Sequence, residues 1–112
     1  MIRSSLLAGV FVMAAGAAAA APSGKSIAEH GSAHGAPACS SCHGLHYEGN
    51  PGMKAPALAG LSAKFIVARL DHYAGPTGHN AAMRAVATAL DAPERRAVAA
   101  YLSSLPSPPK HH

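Results

Sequence analysis

Large apolar side chains are scarce in this chain. From Ala21 to His112 it holds thirteen Leu, Ile, Val and Phe residues, about 14% of that stretch and below the roughly 20% at which a packed core becomes doubtful. The 49% apolar content of the whole sequence is carried largely by alanine. A single small domain already buries little surface. Disorder is the first alternative, but net charge is low and several segments have clear helical periodicity. The contradiction resolves if something other than side chains fills the core, and a large apolar prosthetic group would do so.

The stretch from Ala21 is read as the working protein because of what precedes it. One basic residue, Arg3, is followed by an apolar run from Leu6 to about Ala21 and then by small residues. That is the layout of a secretory signal peptide, expected to span 1–20 with cleavage after Ala20. The run is short of the roughly 20 residues that cross a bilayer, and no later segment resembles a span. The domain is expected over 21–105, followed by a flexible tail over 106–112 with prolines at 106, 108 and 109. Removing Arg3 leaves eight Lys and Arg against five acids, a net charge of +3. These charges form no run and have few aromatics between them, which argues against nucleic-acid binding. Acidic protein partners remain compatible with the charge.

The pattern is all-α, with about four short helices. Ser26 and Glu29 have the spacing of a capping box and predict a helix that Gly31 or Gly35 ends. Residues 44–61 are rich in Gly and Pro and predict an ordered loop, long enough to serve a function or wrap something. Ser62 caps a helix over Ala63–Tyr73, with Phe65, Ile66, Arg69, Leu70 and Tyr73 at three- and four-residue spacing. Met83, Val86 and Leu90 lie on one face of a helix over Ala82–Leu90. Asp91-Ala92-Pro93-Glu94 is a strong start signal for a helix over Ala92–Ser104, expected to bury Val98, Tyr101, Leu102 and Leu105. No strand pattern and no internal repeat is present.

Both cysteines fall in Ala38-Cys39-Ser40-Ser41-Cys42-His43-Gly44, with one of the eight histidines. Three chemistries share this spelling. Thiol exchange by Cys-x-x-Cys belongs to a βαβ setting that this chain lacks. Thiolate-imidazole metal binding needs four ligands, and the histidine pair of suitable spacing, His30 and His34, precedes the cysteines rather than following them. Copper binding by His and Met residues is the remaining metal reading. Covalent haem attachment has C-x-x-C-H as its signature: two cysteines three apart form thioethers, and the adjacent histidine meets the iron. Export, helical pattern and a thin core favour the third.

At this point the sequence resembles the small class I c-type cytochromes of the bacterial periplasm. The resemblance rests on GAPACSSCHG (35–44), APALAGL (55–61), KFIVARL (64–70), the glycine-containing link at 75–78, and AAMRAVATALDAPERRAVAAYLSSL (81–105). It implies a class I cytochrome c fold around one covalent haem c attached through Cys39 and Cys42. It further implies His43 and Met83 as axial iron ligands, and a Pro56 carbonyl that accepts a hydrogen bond from the His43 imidazole. Met53, His72 and His79 are the alternatives to Met83; in a chain without the haem motif, Met83 would be read as core. Leu58, Phe65, Leu70 and Tyr101 are expected around the porphyrin or between helices, and His46 at the surface. Relatives commonly carry an arginine after the link glycine, near a propionate; here Pro76-Thr77-Gly78-His79 stands instead, which leaves His79, Arg69 and Arg84 as candidates. The implied function is one-electron transfer between redox partner proteins, as a free carrier or as a subunit of a periplasmic dehydrogenase or oxidase. No substrate pocket is indicated, so an enzyme is not expected. The reading from another class is a periplasmic metal-binding or thiol-exchange protein.

Overall fold

The computed structural model describes residues 22–108; the expected signal peptide at 1–20 lies outside the described residues. Five α-helices are present among them: α1 Gly24–His30, α2 Ser40–His43, α3 Ala63–Ala74, α4 Ala81–Thr88 and α5 Ala92–Ser103, with one 3-10 turn at Pro51–Met53. No strand occurs among the described residues; Asn50 and Ala55 form an isolated antiparallel bridge. The helix beyond the expected four is α2, formed by the cysteine motif itself.

α1 starts three residues earlier than the Ser26–Glu29 spacing predicts. Ser23 is extended (φ −85°, ψ 113°) and its hydroxyl accepts from the Ser26 amide at 3.1 Å. The earlier start brings Gly24 against α5, where a Cβ would collide with the Ala97 carbonyl and come within 2.9 Å of Tyr101 Cβ. A side chain there would hold the helices apart, so the close crossing depends on glycine. Gly31 ends α1 at φ 90°.

The later helices follow their caps. Ser62 accepts from Phe65 N, Asn80 from Met83 N, and Asp91 with Glu94 completes a reciprocal capping box. Such a cap contributes about 1 kcal/mol. α5 is the hub, packing on α1 and α3, while α3 also packs on α4. Leu90, Val98 and Leu102 are the most enclosed large side chains among the described residues, with Ile27, Ile66 and Leu70 also buried. Much of the remaining core is alanine: Ala28, Ala36, Ala59, Ala87 and Ala99. Small residues let backbones approach closely but bury little apolar area each.

One expectation about packing needs correction: Tyr101 and Leu105 are half-buried at the edge of the core rather than within it. Phe65, in the first turn of α3, is 52% exposed, one position ahead of Ile66, whose side chain takes the inward direction. No helix among the described residues is long and apolar enough to cross a membrane.

Candidate functional site

Local hydrogen bonds wind the cysteine motif into a single turn. The Ser41 amide donates to Ala38 O at 3.1 Å, and the Cys42 and His43 amides donate to Cys39 O at 3.3 and 2.9 Å. Cys39 and Cys42, three apart on this turn, project from one face. Both are half-buried. Burial pushes the Cys39 thiol up to about 11, against the opposing pull of its own backbone amide. Exchange-active cysteines have depressed values instead. The approach to α2 is tethered as well: the Ser32 hydroxyl accepts from Ala36 N at 3.1 Å and donates to Ala89 O at 3.4 Å, linking this loop to the end of α4.

His43 closes α2 and is 7% exposed. Its Nδ1 lies 2.8 Å from the Pro56 carbonyl oxygen. A carbonyl only accepts, so Nδ1 carries the proton and Nε2 is left with its lone pair. Pro56 is brought there by the 44–61 loop, which is ordered by its own contacts. The Gly49 amide donates to His43 O at 2.8 Å, and the Leu58 and Ala59 amides both donate to Tyr47 O at 2.9 and 3.1 Å. The Gly60 amide donates to Leu102 O, fastening the end of the loop to α5. Gly49 has φ 96°, and a Cβ there would come within 2.9 Å of Ala57 N.

Met83 is the third residue of α4 and is half-buried against the core. It shares a face with Val86 and with Ala87, which is fully buried, so its side chain leans inward. The end of α4 is held by Arg95, whose Nε and Nη2 donate to Ala87 O at 3.2 and 2.8 Å, while Nη1 donates to Asp71 at 3.1 Å. The alternatives lie elsewhere. Met53 is 55% exposed on the 3-10 turn, and His72 and His79 are exposed. His46 is at the surface, where its amide donates to the Glu48 carboxylate. Arg84 is engaged with Gly75 O at 2.6 Å, and Arg69 lies over the Tyr73 ring, 4.9 Å from its centroid.

The family model for cytochrome c matches residues 28–106. The chain belongs to the cytochrome c family. This cytochrome is 36% identical over 103 residues to a thiosulfate dehydrogenase electron acceptor of Stutzerimonas stutzeri, covering 91% of this chain and 48% of that protein. A protein of the same name from Thiomonas intermedia is 37% identical over 70 residues, 62% of this chain and 32% of its own. The chain thus spans about half or less of the curated relatives it matches. Among solved structures, the cytochrome c4 of Acidithiobacillus ferrooxidans superposes with a TM-score of 0.68 at 35% identity, over 73% of this chain and 47% of that one. A thiosulfate dehydrogenase from Marichromatium purpuratum gives 0.67 at 35% identity, over 83% of this chain and 22% of its own.

The fold is therefore that of a class I cytochrome c, and its cofactor is covalently bound haem c. The donor set suits that group: two thiols on one face of a turn, an adjacent imidazole with Nε2 unprotonated, and an inward-leaning thioether on α4. Two contributors carry no sequence signal of their own. Tyr47 lies in a loop without periodicity, and Arg95 is one of two adjacent arginines. Asn80 was detectable, as a capping residue directly ahead of Ala81.

Proposed function

We propose that this chain is a periplasmic one-electron carrier whose haem is attached through Cys39 and Cys42 and ligated by His43 and Met83. The observation that carries the reading is the 2.8 Å pair between His43 Nδ1 and Pro56 O. It fixes the tautomer, orients the ring and strengthens Nε2 as a donor. When bound, haem c supplies a one-electron iron couple, and a His/Met set raises its reduction potential. The protein contributes a buried imidazole, a thioether on a capped helix, and a covalent tether that keeps the group in place through many turnovers. No substrate-binding step belongs to this reading, so the chain is a carrier and not an enzyme. The leader at 1–20 would deliver it to the periplasm, with 21–105 as the working domain and 106–112 as a tail.

The names of its relatives favour one class of donor, a thiosulfate dehydrogenase, with this chain as its electron acceptor. The test mixes purified holoprotein with such an enzyme and thiosulfate and follows the haem spectrum. The expected result is reduction by one electron per chain that requires both enzyme and thiosulfate. Absence of reduction, with reversible one-electron titration by a chemical mediator intact, removes this donor and leaves the carrier. Absence of any reversible titration removes the carrier as well.

A further inference from the structure

Tyr47 is the most enclosed aromatic side chain of the described residues, 3% exposed, yet it stands in a Gly/Pro-rich loop at a backbone angle that side chains avoid, φ 57°. A tyrosine is held in the left-handed region only where the surroundings over-determine it. The surroundings here come from three directions. Its amide donates to Gly44 O at 2.9 Å, and its carbonyl accepts from both Leu58 and Ala59. Its ring meets Tyr101 of α5 edge-on, with centroids 6.2 Å apart and planes at 88°. Its hydroxyl is buried without a hydrogen-bond partner. That backbone angle is held in place by what surrounds it. Ring and backbone together account for it: the ring is the anchor, and the carbonyl is the hook that takes the two amides immediately after Ala57.

We propose that Tyr47 is the positioning residue of the His43–Pro56 pair, pinning the turn after α2 to α5 through its ring and the Pro56 segment through its carbonyl. It acts through Pro56 and has no direct part in electron transfer. The inference rests on the proposed haem ligation by His43. Loosening the Pro56 carbonyl weakens the bond to Nδ1, makes the imidazole a poorer donor, and so favours ferrous over ferric iron. The expected direction is a higher reduction potential.

The experiment compares wild-type holoprotein with Tyr47→Phe, Tyr47→Gly and Tyr101→Leu, all first checked for haem that resists acidified organic extraction. Wild type without such haem would overturn the ligation reading itself, independently of Tyr47. The readouts are the midpoint potential and, in the reduced protein, exchange of the His43 Nδ1 proton with solvent by NMR. Tyr47→Phe keeps the ring and should match wild type in both. Tyr47→Gly tolerates the backbone angle but lacks the anchor, and should exchange faster by about tenfold with a raised potential. Tyr101→Leu leaves Tyr47 in place without its edge-on partner and should shift both readouts in the same direction by less. If Tyr47→Gly and Tyr101→Leu melt at lower temperature while potential and exchange stay at wild-type values, Tyr47 is packing alone and the proposal fails. A changed potential in Tyr47→Phe would also overturn it, because the hydroxyl would then be the acting group.

Discussion

Gly24 of α1 lies directly against the Ala97 carbonyl of α5, so the first and last helices of the domain cross without a side chain between them. Ile27 and Ala28, one turn on, are buried as a result. Gly24→Ala should therefore lower stability by about 2 kcal/mol, because relief of the collision requires α1 to move off α5. Denaturant unfolding of the holoprotein measures this. An unchanged midpoint would mean that the crossing has slack.

Replacing Met83 with Ala should abolish the weak ferric absorption band that reports sulfur ligation. Met53→Ala should leave that band intact, since Met53 is 55% exposed on the 3-10 turn. Absorption spectra of the two variants decide between the sulfurs. A band that survives in Met83→Ala and vanishes in Met53→Ala would reverse the assignment.

Arg95 holds the end of the helix that carries Met83. Its side chain is 18% exposed and caps Ala87 O, whereas its partner Asp71 is 58% exposed. Arg95→Ala should cost about 2 kcal/mol through the lost charged hydrogen bonds. Asp71→Asn should cost less than about 0.5 kcal/mol, as exposed ion pairs do. Thermal unfolding checks the ranking. The sulfur band should also weaken on warming at a lower temperature in Arg95→Ala than in wild type, since α4 loses its C-terminal clamp.

Burial is the largest cause pushing the Tyr47 hydroxyl up to about 12, helped by the nearby Tyr101 and opposed by the Ser40 side chain. The folded state therefore holds this proton more tightly than the unfolded chain does. Its contribution is fully present below about pH 10 and is lost as pH rises toward about 12. Tyr47→Phe should keep its stability across that alkaline window, where wild type loses some. Denaturant unfolding of both proteins through the window tests this, and parallel pH curves would contradict it.

Most of the helices were legible because their signals are local. Ser62 and Asp91 start α3 and α5 at the predicted positions, and the C-terminal prolines stop α5 within a residue. α1 was misplaced by a turn because Ser26 and Glu29 spell a capping box that the helix does not use; the tertiary demand for Gly24 at the crossing selects Ser23 instead. The motif marked the position of the site, but its helical form was not readable, since four residues are too few for a period. The resemblance named Pro56; the structure added what holds its carbonyl in place. Tyr47 was invisible because its role depends on contacts with residues 54 positions away in α5.

The central claim, that Cys39 and Cys42 are haem anchors and not free thiols, is tested most directly on protein purified from its native source. Proteolysis and mass spectrometry of the peptide spanning Cys39–His43, after acidified organic extraction, give the answer. The result predicted is a peptide carrying one haem through both cysteines, with no thiol left to titrate. Two alkylatable thiols on a haem-free peptide would contradict it.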